Sequence, residues 1–171
     1  MKNLEKLLAG GNLRSLGKSK AVISGIRKQN DFDLLFEHIF HKDRIVVMRA
    51  ADIIEKVTIN NPQFLSKHKL AIIALSETDM NKELKWHLAQ LIPRLALDKT
   101  ELGKVWSILT KWVKDKSDSR IVRVNAIQGL FELSKKEDEL IKDLKLTMLE
   151  VEAENIPSIN ARTRIIRKQL R

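Results

Sequence analysis

Cysteine and tyrosine are absent from the sequence, and proline and glycine are scarce, with three and six residues among 171. Without cysteine, neither a disulfide framework nor a thiolate metal site can form. Apolar β-branched residues rarely alternate with polar ones, and the Asn-Gly pairs typical of hairpins are missing. These absences exclude a disulfide-stapled fold and argue against a β-sheet protein.

Long hydrophobic runs are missing as well. No stretch approaches the roughly 18 apolar residues that a membrane-spanning helix needs. The opening residues, MKNLEKLLAGGN, include the acidic Glu5 and only a very short apolar run, which is not the pattern of a secretory signal. We therefore expect a cytoplasmic protein that does not contact a membrane.

Motifs that mark enzymes and cofactor sites are also lacking. The phosphate-binding patterns G-x-x-x-x-G-K-[ST] and G-x-G-x-x-G and the nucleophile pattern G-x-S-x-G do not occur. His38 and His41 have a spacing that could serve a metal, but this spacing is also common among surface histidines. Acidic clusters at 137–139 and 150–154 fall near predicted helix ends and are interpreted as solvated surface. We expect no metal, no cofactor, no small-molecule substrate and no enzymatic activity.

The composition is globular, with 43% hydrophobic and 32% charged residues. The net charge is +10, and its distribution along the chain is uneven. Residues 1–30 carry +6, residues 31–155 carry −1 and residues 156–171 carry +5. Because the positive excess lies at the two ends of the chain, an anionic partner would have to bind there.

Apolar residues recur at spacings of three and four along most of the chain. Clear examples are Phe32, Leu35, Phe36, Ile39 and Phe40 and, further along, Leu102, Val105, Trp106, Leu109 and Val113. This spacing places the apolar side chains on one face of a helix. The sequence therefore predicts an all-α protein built from amphipathic helices.

The helices repeat with a period near 37 residues. A small residue recurs at intervals of 38, 37 and 37 residues, at Ala51, Ala89, Ala126 and Thr163. Eight residues before each of them stands a side chain that can cap a helix: Asp43, Asn81, Asp118 and Asn155. Three residues after each of them stand Ile54, Ile92, Gly129 and Ile166. Each block predicts a capped helix with a small residue at its centre, where a neighbouring helix can approach closely.

Partner helices are predicted between these blocks, at roughly 31–41, 62–77, 100–115 and 137–151. Asn61 followed by Pro62 is a helix-start pattern, and Thr100 is a candidate cap for the third partner helix. Pro93 falls inside a predicted helix and should kink it or end it early.

Two helices in a period of this length match HEAT and armadillo arrays. The segment 122–126, Val-Arg-Val-Asn-Ala, preceded by Asp118, resembles the V-R-x-x-A stretch after an aspartate turn in HEAT repeats. The block around Ala51 is similar but has Met48 in place of the arginine. The resemblance, which covers about residues 30–171, implies one domain over 1–171, a short right-handed α-α superhelix of about four HEAT-like helix pairs. Its parts would be N-terminal capping helices at 1–30 and repeats at 31–60, 61–97, 98–135 and 136–171.

The resemblance implies a non-enzymatic scaffold that binds a protein or peptide along the concave face formed by the second helices. Candidate contacts stand three residues before the small residues: Met48, Trp86, Arg123 and Asn160. Because this column should point away from the core, Trp86 is a candidate anchor for a partner. Packing of Trp86 between neighbouring repeats is the alternative.

Nucleic-acid binding through the basic ends is a second hypothesis. The last predicted helix supplies the candidate phosphate contacts, which are Arg162, Arg164, Arg167, Lys168 and Arg171. The alternative is that these residues only give a terminal repeat a polar outer face and keep it soluble.

An enzyme is the third hypothesis. HEAT-like alkylpurine DNA glycosylases combine this fold with a positive groove, tryptophans and an aspartate, and Trp86, Trp112 and Asp115 resemble that set. The chain is short for that family, and its middle is neutral where a DNA groove should be positive. The remaining tryptophan, Trp106, lies on the apolar face of its helix and is expected to pack in the core.

Overall fold

The computed structural model describes residues 4–10 and 18–170. These residues form helices and turns, with no β-strand among them. The α-helices are α1 (Leu4–Leu8), α2 (Ser19–Gly25), α3 (Gln29–Phe36), α4 (Arg44–Asn60), α5 (Lys69–Ser76), α6 (Lys82–Leu91), α7 (Lys99–Lys114), α8 (Arg120–Ser134), α9 (Leu140–Glu152) and α10 (Pro157–Gln169). Short 3-10 helices span Glu37–Phe40, Pro62–His68 and Ile92–Arg94. The all-α prediction is confirmed.

Contacts divide the chain into two compact units, Met1–Lys69 and Leu70–Arg171. The boundary falls inside the repeat predicted at 61–97. The single domain predicted over 1–171, with its capping helices and four repeats, stays a prediction.

Helix α4 is the centre of the first unit. It packs against α1, α2, α3 and the 3-10 helices at 37–40 and 62–68. Ala50 and Ile54 of α4 are completely buried, and so are Phe32 and Leu35 of α3. Burial of one such leucine or isoleucine side chain stabilises the fold by about 1.5–3 kcal/mol. The predicted apolar face of α3 therefore meets the apolar face of α4.

A buried arginine ties α1 to α4. The side chain of Arg49 is 2% exposed, and its Nη1 donates to Leu8 O at 2.6 Å and to Ala9 O at 2.9 Å. These carbonyls lie at the C-terminal end of α1, where a helix has acceptors without helical partners and the negative end of its dipole. In the repeat motif the arginine position is the one that Met48 occupies here. The buried arginine of α4, Arg49, stands one residue later.

Helix α8 is the centre of the second unit, where it packs against α6, α7, α9 and α10. The second helices of the predicted repeats, α6, α8 and α10, follow one another in a row, and α7 and α9 pack beside that row. Trp106 of α7 is 8% exposed, and its indole Nε1 donates to Asp143 Oδ2 at 2.6 Å. Core packing of Trp106 is thus confirmed, with a polar partner for its N–H group.

The column of small residues is buried as predicted. Ala51, Ala89 and Ala126 are completely buried, and Thr163 is 1% exposed. Helices α6 and α8 come so close at Gly129 that a Cβ atom added there would lie 2.7 Å from Ala89 O. The absence of a side chain at this position therefore sets the spacing between the two helices.

The four second helices begin within two residues of the predicted caps, but the capping side chains only partly follow the prediction. Asp43 caps α4, since its Oδ1 accepts a hydrogen bond from Ile45 N at 2.8 Å. Asn81 stands directly before α6 without a side-chain bond to its first turn.

Helix α8 is capped by Ser119 rather than by Asp118. The Ser119 hydroxyl accepts from Val122 N at 3.4 Å. Asp118 forms an ion pair with Lys85 of α6 and also accepts from Ser119 N at 2.7 Å. The predicted cap is wrong because the adjacent serine can cap the helix while the carboxylate binds a neighbouring helix.

The prediction that Asn155 caps α10 is also wrong. Pro157 occupies the first position of α10, and a residue before proline favours extended backbone, which Ile156 adopts (φ −83°, ψ 115°). Asn155 has a φ of 55°, in the left-handed region that asparagine tolerates better than most residues. Asn155 therefore helps to turn the chain between α9 and α10.

The partner helices lie where the spacing predicted them. Asp98, and not Thr100, caps α7: Asp98 Oδ1 accepts from Glu101 N, and Glu101 Oε2 accepts from Asp98 N, both at 2.8 Å. This reciprocal capping box satisfies two donors at once. Pro62 begins a 3-10 helix, and α6 ends two residues before Pro93, as the missing N–H of proline predicts.

Candidate interaction surface

Three of the four predicted partner-binding residues lie on the second helices of the second unit. Trp86 of α6 and Asn160 of α10 are half-buried, while Arg123 of α8 is buried. The fourth residue, Met48, is half-buried on α4 in the first unit. Asn160 Oδ1 is buried and accepts no hydrogen bond from the described residues. Met48, Trp86 and Asn160 each keep part of their surface open.

The expectation that Arg123 is an open contact is wrong. Its side chain is 2% exposed, and Nη1 and Nη2 donate to the two carboxylate oxygens of Glu154 at 2.9 and 2.8 Å. Its Nε donates to Val113 O at 2.7 Å, near the C-terminal end of α7. The hydrogen bonds from Arg123 hold the pKa of Glu154 below its usual range. Arg123 therefore joins α7, α8 and the turn before α10, and its enclosed guanidinium is not available to a partner.

The basic stripe on α10 is open to solvent only in part. Arg164 and Lys168 are exposed and stand one helical turn apart. Arg171 lies outside the described residues. Of the predicted five cations, these two are therefore exposed along one side of the helix.

The other two arginines of that stripe make contacts within the protein. Arg162 donates from Nη1 to Gln128 Oε1 at 3.0 Å. Arg167 donates to both carboxylate oxygens of Glu152, from Nε at 3.1 Å and from Nη2 at 2.8 Å. These bonds lower the pKa of Glu152 and raise that of Arg167. Both arginines help to hold α10 in place.

Trp112 and Asp115 line a cleft of about 460 Å³, but the tryptophan is poorly accessible there. Trp112 is 5% exposed, and Lys85 Nζ lies 5.2 Å from the centre of its ring. Asp115 accepts from Ser117 Oγ at 2.6 Å and from Ser117 N at 2.9 Å, and these bonds lower its pKa. A buried ring beside a cation offers little surface on which a flipped base could stack. The geometry gives no support to the glycosylase hypothesis.

A second cleft lies between α6 and α8, in the row of second helices. Its volume is about 500 Å³, within the range of ligand pockets. Amide and charged side chains line it: Gln90, Asn125, Gln128, Glu132, Lys135 and Lys136. Pro93 and Gly129 line it as well. The space thus adjoins the point where α6 ends and α8 comes close to it.

Hydrogen bonds hold the α8 side of this cleft in position. Gln128 Nε2 donates to Glu132 Oε1 at 2.8 Å, and Lys135 Nζ donates to Glu132 Oε2 at 2.7 Å. Lys136 Nζ donates to Leu95 O at 3.0 Å. Side chains that are already ordered lose less conformational entropy when a partner binds. The cleft is therefore a preorganised surface with amide and charged groups.

The sequence interpretation missed the residues of this cleft because they stand in other columns of the repeat. Asn125 directly precedes the small residue Ala126, and Gln128 follows it by two positions. A signal was present in the column three residues after the small residue, where Gly129 replaces isoleucine. A glycine among isoleucines marks a position where two backbones come close and the side-chain packing changes.

His38 and His41, whose spacing could serve a metal, make local contacts. His38 Nδ1 lies 2.8 Å from Leu34 O, and His41 Nδ1 accepts from Asp43 N at 3.0 Å. Over residues 4–10 and 18–170, no group of three or more His, Asp or Glu side chains is arranged to hold a metal ion. In the same ranges, no helix combines the length and apolar character needed to cross a membrane.

Comparison with known proteins agrees with this architecture. The family described as HEAT repeat domain matches residues 15–170. No curated protein and no solved structure matches the chain. The matched range includes the paired helices α3 to α10 and the whole column of buried small residues. The chain belongs to the HEAT repeat family.

Proposed function

We propose that this protein is a non-enzymatic interaction module that holds a protein or peptide along the row of second helices α6, α8 and α10. The observation that carries the proposal is the cleft of about 500 Å³ between α6 and α8, with its side-chain amides. A side-chain amide both donates and accepts hydrogen bonds, as the main chain of a peptide does. Gln90, Asn125 and Gln128 could therefore pair with a peptide backbone that lies across the two helices.

Trp86 and Asn160 keep their proposed role as partner contacts on this row, and Met48 on α4 stays a separate proposed contact of the first unit. A partly exposed tryptophan buries a large apolar area when a partner covers it, and such residues often dominate binding energy. Arg123 has a supporting role in this proposal, because it fixes α8 against α7 and the turn before α10.

Affinity capture from native cells, with the recovered proteins identified by mass spectrometry, tests the proposal. A partner should be recovered with the wild-type protein and lost with the double variant Trp86→Ala, Gln128→Ala. The control is Gln63→Ala, which changes an exposed glutamine of the 3-10 helix at 62–68. Thermal melts establish that the variants fold. Equal recovery with the double variant and the control would contradict binding at this row of helices.

Nucleic-acid binding is the second candidate, and the exposed pair Arg164 and Lys168 on α10 favours it. Phosphate contacts release counterions, so the affinity for duplex DNA or RNA should fall steeply as salt rises. Replacement of both residues by glutamine should reduce the slope of log affinity against log salt by about two. A filter-binding titration at several salt concentrations measures this slope. Undetectable binding at low salt would leave these residues as a solubilising surface.

A further inference from the structure

The cleft between α6 and α8 has an excess of positive charge. Arg94, Lys135 and Lys136 line it, and Glu132 is the one acidic side chain among the described residues of its lining. Glu132 already accepts hydrogen bonds from Gln128 and Lys135. The charge of Lys135 is therefore matched inside the protein.

The ammonium group of Lys136 is held at the cleft without a matching anion. Its bond to Leu95 O, at 3.0 Å, fixes the group beside the turn that follows Pro93. Among the described residues it has no ion-pair partner, and partial desolvation lowers its pKa. An ammonium has three N–H donors, so the bond to one carbonyl leaves two further donors for a ligand. A positioned cation without a counter-charge favours an anion as its next contact.

We propose that the cleft selects a peptide that carries an aspartate or glutamate, whose carboxylate binds Lys136 while Gln90 and Gln128 pair with the peptide main chain. This inference rests on the proposed function and adds the chemistry of the partner. A carboxylate fits the site because a charge-assisted hydrogen bond to a positioned ammonium is stronger than a neutral one. The amides on either side can orient the peptide across the cleft.

The surrounding charges favour a peptide with an isolated acid over a nucleic acid. Glu132 lies within the cleft, and the exposed acidic residues 137–139 directly follow Lys136 in the chain. A polyanion that follows the surface would meet these carboxylates, and repulsion would oppose its binding. A single carboxylate can reach Lys136 without approaching them.

Selection from a phage-displayed library of random 12-residue peptides tests the inference. The baits are the wild-type protein, Lys136→Gln, Glu132→Gln and the control Lys142→Gln. The control removes the same charge from an exposed position of α9 that does not line the cleft. Peptides enriched by the wild type should share an aspartate or glutamate at one position. Thermal melts of the four proteins should agree, since the substituted side chains are on the surface.

Fluorescence titration of one enriched peptide then measures the contribution of the carboxylate. Lys136→Gln should weaken binding about tenfold and remove the preference for glutamate over glutamine at the shared position. Lys142→Gln should leave both unchanged, and Glu132→Gln should strengthen binding because it removes a repulsive carboxylate.

The contrary outcomes separate the two proposals. Enriched peptides without a shared acid, or a preference for acid that survives in Lys136→Gln, would overturn this inference and leave peptide binding intact. If the wild type enriches no peptide, this inference fails, and the proposed function still stands or falls by the affinity capture. Tighter binding of a duplex RNA probe than of any peptide, sensitive to Lys136→Gln, would assign the cleft to nucleic acid and overturn the inference.

Discussion

Substitution of Gly129 by alanine is expected to destabilise the second unit, although alanine is the better helix former. In a helix interior, the exchange of glycine for alanine gains about 1 kcal/mol of intrinsic stability. At Gly129 the new Cβ would lie 2.7 Å from Ala89 O and 3.0 Å from Leu109 Cδ1. The leucine methyl can move, but the carbonyl belongs to the backbone of α6, so the two helices would have to separate.

The clash should outweigh the gain in helix propensity. Overpacking of a well-packed core costs about 1–3 kcal/mol, and contact with a backbone atom places this case in the upper part of that range. The net loss should be about 1–2 kcal/mol. If the free energy of unfolding falls by about 2 kcal/mol per molar urea, the urea concentration at the unfolding midpoint should fall by about 0.5–1 M.

Gly103 in α7 is the matched control. It is also inside a helix, but a Cβ added there meets no atom within 4 Å. Gly103→Ala should therefore raise the free energy of unfolding by about 0.5–1 kcal/mol.

Urea unfolding followed by tryptophan fluorescence measures both variants. All three tryptophans lie in the second unit, so the signal reports on the unit that contains both glycines. Opposite signs for the two variants are the expected result. If Gly129→Ala is as stable as Gly103→Ala, then the close approach of α6 and α8 is not what determines the need for glycine.

Three further predictions concern the second unit. Glu154→Ala should lower the free energy of unfolding by about 3–5 kcal/mol, because it leaves a buried guanidinium unpaired. Arg123→Met should cost less, because the glutamate that it leaves can be hydrated. Urea unfolding compares the two variants, and equal losses would contradict the reasoning. The pKa of Glu154 is lowered in the folded state. The contribution of its carboxylate to stability should therefore be complete above a pH of about 4.5 and be lost as the pH falls through the lowered folded pKa. Urea unfolding at several pH values should show a shallower dependence of stability on pH in Glu154→Gln than in the wild type. Ala126→Leu should overpack a completely buried site and cost about 1–3 kcal/mol, and an unchanged thermal melt would refute that placement.

The features predicted correctly from the sequence are those determined by local chemistry or by size. The small residues Ala89 and Ala126 are completely buried, and a small residue recurs at the same place with the period of the repeat. Pro93 ends α6 because its nitrogen carries no hydrogen, whatever surrounds it. The starts of the second helices were also predictable within two residues, although only Asp43 of the four predicted caps accepts a hydrogen bond from its own first turn.

Two of the predictions that failed, those for Arg123 and Asp118, depended on partners distant in the sequence. Arg123 is buried because Glu154, 31 residues later, supplies a carboxylate at its guanidinium, and no helical spacing indicates that pairing. Asp118 gives up its role as a cap because Lys85 lies on the neighbouring helix. A long charged side chain can point to solvent or fold against the core, and the available counter-charge decides between the two.

The candidate binding cleft arises from two departures from the repeat pattern. Pro93 interrupts α6 and redirects the chain, which brings Leu95 O to the position where it accepts from Lys136. Gly129 lets α8 approach α6, so the amides on both helices face the same space. Each residue weakens its own helix, since proline removes a donor and glycine adds backbone entropy to the unfolded chain. These local weaknesses coincide in one place and together shape a cleft with fixed polar groups, which is the pattern that the proposed binding role requires.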